Sequence, residues 1–371
     1  MRRGNKRLFR YRRRWRTLKR AVARRKRAGV PARNRSRAAA PAGVAAWADH
    51  ALRDGRIDAS LAPKEAASDW QQAMNACWNR WLRVRKLTDL DVQALETIGK
   101  KYAEGFAEAA GLGAPNWVPI PTERKVGAVV TAMNEEKTLP GVLAQLERLP
   151  LSEIIVVING SADSSFAVAR QHRRATIICY PDALGHDVGR AIGAKASVSD
   201  IVLFLDGDFP VMAEHLVPFI ADIERGTDVA LNDITPYMGL FAQRDAVTIM
   251  KEFMNRSLGR SDLAANSLTA VPHALSRKAI EMIGYENLSV PPKAQAKAIR
   301  MGLKIRAPMS VDVISRNRIR GPMNVGLANP VSEMIIGDHI EALDLLMRSE
   351  GSRLSFHDVI RRREWTGGNA G

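Results

Sequence analysis

Asp206-Gly207-Asp208 closes the apolar run DIVLFL at residues 200–205. Side chains two apart in an extended segment point the same way, so the two carboxylates share one side. Gly207 leaves the backbone free to approach a ligand. Paired carboxylate oxygens suit a hard divalent cation such as Mn2+ or Mg2+, which neutralises negative charge growing on a leaving group. The plainer reading is a capped loop with two exposed acids, because a D-x-D triplet also arises by chance.

Three more polar clusters each follow an apolar run. Asn134-Glu135-Glu136 follows VGAVVTAM (126–133), and Asn159-Gly160-Ser161-Ala162-Asp163 follows EIIVVI (153–158). Gly185-His186-Asp187-Val188-Gly189-Arg190 comes after ATIICY (175–180). The runs read as buried strands. Leu139, Val142, Leu143 and Leu146 mark a helix that stops near Pro150, and further helices are expected up to about Arg173 and over 187–198. Strands alternating with helices through short connections predict a parallel sheet, with ligands at the strand C-termini. Four successive polar loops on that edge make a site.

In this order the four loops resemble the nucleotide-diphospho-sugar transferases of the GT-A fold, and among them the family 2 glycosyltransferases. The resemblance covers about residues 124–315. It implies an α/β domain, a Rossmann-like and mostly parallel sheet flanked by helices. A basic tail and linker (1–42) and a helical segment (43–115) precede it, and a C-terminal helical extension (316–371) follows. It also implies metal-dependent transfer of a sugar from a UDP- or GDP-linked donor to a lipid-linked or cell-envelope acceptor. Asp206 and Asp208 would meet the metal, the ribose and the diphosphate, with Asp208 catalytic. Asn134, Glu135, Asn159 and Ser161 would read the nucleotide, and Gly185 and Arg190 would lie near the sugar and phosphates. The stretch 267–284 resembles the acceptor-side segment, a strand and then a helix from about Ser276. There His273 is placed to complete the metal shell, with His339 as its competitor and packing as the alternative for each.

Two departures matter. The second loop of the family reads D-D-G-S-x-D, and here Ile158 and Asn159 take its first two positions. Asn159 can hydrogen-bond a uracil or guanine edge, though not as a carboxylate acceptor, so the base stays open. Asp163 keeps the pattern and also suits a helix cap. Inverting members carry an acidic base ahead of a glycine that here is Gly302, yet Val290 and Pro291 stand in its place, and no acid occurs from 287 to 302. Either Glu286, Asp262 or Asp245 substitutes, or the transfer is retaining, with the departing phosphate accepting the proton. A chain without a base is also consistent with a non-catalytic binding protein on the same fold. A nucleotidyltransferase would want a Gly-rich basic loop after the first strand, which Met133-Asn134-Glu135-Glu136 does not supply. No Walker loop or G-x-G-x-x-G fingerprint occurs either.

Charge separates the chain into unlike parts. Of 371 residues, 56 are Lys or Arg and 39 Asp or Glu, a net charge of +17. Residues 1–40 hold 18 of the basic residues and no acid, leaving 38 basic against 39 acidic residues in the rest. A basic nucleic-acid groove along the whole body is therefore not implied, which counts against a nucleic-acid enzyme. Two cysteines in unlike contexts, Cys77 and Cys179, make neither a disulfide framework nor a cysteine-based zinc site, and they fit a reducing compartment. No stretch reaches the roughly 18 uncharged apolar residues of a membrane span. Trp70, Met74, Cys77, Trp78 and Trp81 recur at helical spacing, as do Val92, Leu95, Tyr102 and Phe106 after a cap at Thr88 or Asp89. Both stripes read as core packing of a helical pair. After Pro308 comes the basic segment SRNRIRGP, suited to phosphate, and residues 330–349 and 355–364 read as two closing helices.

In the tail, Leu8, Tyr11, Trp15, Leu18 and Val22 step by 3, 4, 3 and 4, one face of a helix whose other faces are arginine. A basic helix with aromatic residues on its apolar stripe suits an anionic membrane surface. RNA and a plain solvated tail are the alternatives. The expectation is a cytoplasmic enzyme, peripheral on the inner face of the membrane through residues 1–27. Deleting residues 1–40 is expected to abolish binding to anionic vesicles, and binding by the full chain should weaken with added salt. Vesicle co-sedimentation checks this, and a full chain that binds vesicles no better than the truncated one, but RNA much better, refutes it.

Overall fold

The structure, a computed structural model, describes residues 43–62, 69–113, 115–314 and 330–361. The basic tail and the SRNRIRGP segment lie outside the described residues. Three helices come first: α1 (Gly43–Ser60), α2 (Trp70–Arg85) and α3 (Val92–Ala109). The Asp69 side chain caps α2 by accepting from Gln72 N, and Asp91 caps α3 by accepting from Ala94 N. The cap of α3 is thus Asp91, two residues past Asp89 and three past Thr88, because Leu87 and Leu90 are still tied into a turn.

The α/β part follows as β1 (Val126–Ala132), α4 (Leu139–Leu146), β2 (Glu153–Asn159), α5 (Ser165–Ala169), β3 (Ala175–Tyr180), α6 (Val188–Ala196) and β4 (Ile201–Asp206). Next come α7 (Ala213–Glu224), β5 (Val229–Asn232), α8 (Ala246–Ser257), β6 (His273–Ser276), α9 (Arg277–Ile283), α10 (Pro291–Arg300), β7 (Ile305–Met309) and α11 (Pro330–Glu350). The sheet has the order β3-β2-β1-β4-β6-β5-β7. It is mostly parallel, as expected; β6 runs antiparallel to both of its neighbours. The parallel register sets Thr131 beside Asp206, Ala132 beside Ile158 and Asn159 beside Tyr180, which gathers the polar loops at one edge.

Both faces of the sheet are buried, which explains why its strands read as continuous apolar runs. Ala128, Val130 and Ala132 pack with Leu139, Leu143, Leu216 and Phe219 of α4 and α7. The alternate residues Val129, Val157, Val202 and Phe204 pack with Ala191, Ala294 and Ala298 of α6 and α10. The expected helix up to Arg173 is shorter, the five residues of α5. Residues 355–361 are not helical, since Ser355 N bonds to Ser257 O and Ser355 Oγ to Arg256 O at the end of α8.

The three N-terminal helices have their own core of Met74, Trp78, Trp81, Leu95, Tyr102 and Phe106. Trp78 stacks on Trp81 with ring centroids 5.4 Å apart. Their junction with the sheet is polar. Asn79 Nδ2 donates to Ile120 O and Thr122 O, both at 3.0 Å, while Asn75 Oδ1 accepts from Ile120 N at 2.9 Å. Both asparagines are buried. Asn79→Ala strips donors from buried carbonyls and should cost about 1–3 kcal/mol in urea denaturation. A loss below about 0.5 kcal/mol, as at an ordinary surface position, would show that this junction stabilises little.

Candidate functional site

The site is built around the start of α6. A Cβ on Gly189 would lie 2.8 Å from Thr131 Cγ2, and one on Gly193 2.2 Å from Val129 Cγ1. The two glycines let α6 press onto β1 more closely than any side chain permits. Arg190, beside Gly189, is thereby buried at 4% exposure. Its Nη1 lies 2.9 Å from Asp187 Oδ1 and 3.2 Å from Leu268 O, and its Nη2 lies 3.3 Å from Asp206 Oδ1. Its Nε has no hydrogen-bond partner among the described residues. Asp206 Oδ1 also accepts from Thr131 Oγ1 at 2.9 Å. Burial alone would raise the Asp206 carboxyl, but Arg190 and the Thr131 hydroxyl outweigh it and hold it below the usual carboxylate value. Asp187 goes the other way, raised by burial in spite of Arg190 and His186. Asp208, one residue beyond Gly207, is partly buried and within electrostatic reach of Arg190.

The other expected donor residues hold the loops to one another. Asn134, at φ +58°, donates from its backbone N to Ser161 Oγ at 3.0 Å, and its Oδ1 accepts from Ala162 N at 2.8 Å. Asn159 Nδ2 donates to Gly185 O at 2.9 Å, while its Oδ1 accepts from Leu184 N at 2.7 Å. Asp163 accepts from Glu136 N and from Ser165. Glu135 is buried at the start of α4, accepting from Thr138 Oγ1 at 2.7 Å.

The structure does not bring every expected residue to this edge. His273 is in register with Phe204 and stacks on it at 5.2 Å, with Nδ1 3.0 Å from Ala270 O. Burial and the nearby Arg190 push its imidazole down to about 3, so it is neutral. Among the described residues no three His, Cys, Asp or Glu side chains are grouped to hold a metal ion. His339 is buried in α11, its Nδ1 against Ile335 O. Glu286 is exposed and accepts from its neighbour Asn287. Tyr285 beside it meets Lys195 in the last turn of α6, the opposite end from Arg190. Asp245 caps α8 through Thr248 N, and Asp262 is paired with Arg260.

Asp187, within the third polar loop, holds Arg190, and three residues that sequence reasoning did not assign to the site join it. Thr131 holds Asp206, as described. Lys251 of α8 is half-buried and lies near Asp245, Arg190 and Asp187; burial and Arg190 lower its ammonium to about 8. Asp338 of α11 lies near Asp187 and His186, and burial with that like charge raises its carboxyl to about 6. A lone lysine in IMKEFM and a lone acid in IIGDHI carry no motif. Cavities of about 330 Å³ and 600 Å³ lie elsewhere, the first by Arg174 and Glu153 at the strand N-termini, the second between Phe253, Leu343 and Leu354.

Arg190→Met leaves the Asp187 carboxylate buried without its cation, and the expected loss at neutral pH is about 3–5 kcal/mol. The penalty should shrink as pH falls and Asp187, already raised, takes up a proton. Urea denaturation at neutral and mildly acidic pH checks this; an equal loss at both contradicts it.

Residues 128–278 match the profile of the family described as Glycosyl transferase family 2. The chain is similar to a 4,4'-diaponeurosporenoate glycosyltransferase of Staphylococcus haemolyticus, 29% identical over 140 residues, 36% of this chain and 37% of that protein. It is also similar to an uncharacterised glycosyltransferase of Mycobacterium tuberculosis, 31% identical over 116 residues, 31% of this chain and 51% of that protein. The chain thus spans between 37% and 51% of the length of these curated relatives. Among solved structures, glucosyl-3-phosphoglycerate synthase from Mycobacterium tuberculosis is aligned over 64% of this chain and 81% of its own, at 18% identity and a TM-score of 0.43. All four polar loops fall within the matched segment, residues 128–278.

Proposed function

We propose that the chain transfers a sugar from a UDP- or GDP-linked donor to an acceptor hydroxyl, at the sheet edge where Asp206 and Asp208 lie. The observation that carries this reading is the buried Arg190, shared between Asp187 and Asp206 at the convergence of the polar loops. A buried guanidinium with an unpartnered Nε suits a diphosphate, which presents hydrogen-bond acceptors and negative charge. Lys251 adds a second cation on the same side. Together they favour the charge that grows on the diphosphate as the glycosidic bond breaks.

The donor set also fits a divalent cation. Two carboxylates at the end of a strand are what Mg2+ or Mn2+ needs when the phosphates of a substrate supply its other ligands. Asp206 and Asp208 would hold the ion, which when bound neutralises the diphosphate as a Lewis acid. Thr131 and Arg190 orient Asp206.

The acceptor follows from the tail. The basic sequence of residues 1–27, with Tyr11 and Trp15 among its spaced apolar residues, would hold the enzyme on an anionic membrane face, which favours a lipid-linked or cell-envelope acceptor. Among the described residues no helix is long and apolar enough to cross a membrane.

Asp208→Ala is expected to lower nucleotide-sugar turnover about 100-fold or more, the order expected for lost electrostatic stabilisation. The fold should stay intact, because Asp208 lies beyond the end of β4. Excess chelator should do the same to the wild type. The assay is release of UDP or GDP from a panel of nucleotide sugars with Mn2+ or Mg2+. Undiminished turnover in the variant or in chelator refutes the metal assignment, and a chain that binds nucleotide sugars without turning them over is a binding protein.

A further inference from the structure

The strand order places a loop at the Asp206 edge, across from the nucleotide loops. Those loops follow β1, β2 and β3 on one side of β4, whereas β5 lies on the other side. β4 and β5 both run antiparallel to β6, so they point the same way, and the chain leaving β5 emerges on the edge that carries Asp206. Asn266 pins the start of this loop: its Nδ2 donates to Asp233 Oδ1 at 3.1 Å, and its Oδ1 accepts from Ile234 N at 2.9 Å. Two residues on, the Leu268 carbonyl accepts from Arg190 at 3.2 Å. The loop thus stands beside the candidate site. Residues 234–243 carry no charge, and Leu240 and Phe241 are 73% and 62% exposed.

The apolar surface continues from this loop along α8. The Arg244 guanidinium lies 5.7 Å from the centre of the Phe241 ring and pairs with Glu252 of α8. Ile249, Glu252, Phe253 and Arg256 stand at helical spacing and share one face. Glu252 pairs with both Arg244 and Arg256, so the acid on this face is neutralised, while Ile249 and Phe253 are exposed. Phe253 stacks on Phe356 with ring centroids 6.4 Å apart. Both rings line the cavity of about 600 Å³, together with Leu343, Met347 and Leu354. That volume and a mainly apolar lining are those of a small-molecule site.

We propose that this face holds the hydrocarbon chain of an amphiphilic acceptor, its end in the cavity and its hydroxyl head at the Asp206 edge. This rests on the transferase reading above and names the part of the acceptor that the chain recognises. A bilayer surface or a protein face would cover the ridge of α8 without filling the cavity. A single chain is narrow enough to follow one helix stripe and then enter the cavity. From Ala246 to Phe253 the stripe runs about 10 Å, at about 1.5 Å per residue. Burial of apolar surface on both partners supplies the affinity.

The experiment titrates n-hexyl and n-decyl β-glucoside, each below its critical micelle concentration, into the full chain by calorimetry. Their heads are neutral, so the basic residues 1–40 add no charge attraction. A fully buried CH2 is worth about fourfold in affinity, and the decyl chain should bind at least about tenfold tighter than the hexyl. Phe253→Gln should weaken decyl binding about fivefold or more, while Phe253→Leu, which keeps an apolar side chain, should retain most of it. Val84→Gln, at a residue of α2 that is 74% exposed, should leave binding unchanged. Decyl glucoside should also suppress release of free sugar from UDP- or GDP-hexoses with Mn2+, its head displacing the attacking water, at about a tenfold lower concentration than hexyl glucoside. Binding that ignores chain length, equal binding by wild type and Phe253→Gln, or bound decyl glucoside that leaves sugar release unchanged overturns this assignment and leaves the transferase reading standing. So does a dimer that Phe253→Gln dissociates without loss of amphiphile binding, which gives the face to a second copy of the chain. Loss of vesicle binding in Phe253→Gln, with no binding of monomeric amphiphile by the wild type, gives it to a bilayer surface instead. A wild-type chain that neither binds nor turns over any nucleotide sugar overturns the transferase reading, and the acceptor role falls with it.

Discussion

A guanidinium buried between two carboxylates is the constraint on which the site depends. Removing Arg190 from water costs several kcal/mol, and the cost is offset only with good partners on more than one side. Asp187, Asp206 and the Leu268 carbonyl provide them. That arrangement requires α6 to touch β1 without side chains between them, which Gly189 and Gly193 allow. It also requires β4 to end level with β1, so that Thr131 and Asp206 stand side by side. Helix packing, strand register and charge placement are therefore one problem here, solved together.

The loops around that pair are held by small polar side chains. Asn159 shows why an amide serves where the family has a carboxylate. It donates to Gly185 O and accepts from Leu184 N at once, whereas an ionised carboxylate can only accept. Asn134 and Ser161 join the first and second loops in the same fashion. These hydrogen bonds lie at the exposed rim, where water competes for the same groups, so each adds little net stability and serves to tie one loop to the next.

Elements outside the α/β core attach by different means. The N-terminal helices keep an aromatic core to themselves and reach the core domain through buried asparagines, hydrogen-bonded to the segment ahead of β1. Helix α11 attaches through apolar packing on α8 and α10 and an ion pair at Lys293. Its packing carries Asp338 into the charged cluster, where Asp187 makes ionisation harder for it.

The sequence by itself was enough for the first four strands, the helices between them and the sheet edge at which the polar residues meet. Period and apolar content are local properties, and a strand buried on both faces writes them plainly. The short strands β5 and β7 escaped because four or five residues carry too little pattern. The strand ahead of Ser276 was expected from the resemblance, but its reversed direction depends on pairing that lies far away in the chain. Asp206, Asp208 and Arg190 stood out because they follow apolar runs. What each one touches was decided by tertiary structure. His273 looked free to enter the site and instead stacks in the sheet, since its partner Phe204 is almost 70 residues away in sequence. Lys251 and Asp338 were invisible, each a single charge on an amphipathic helix, and only the packing of α8 and α11 against the core brought Lys251 near Arg190 and Asp338 near Asp187.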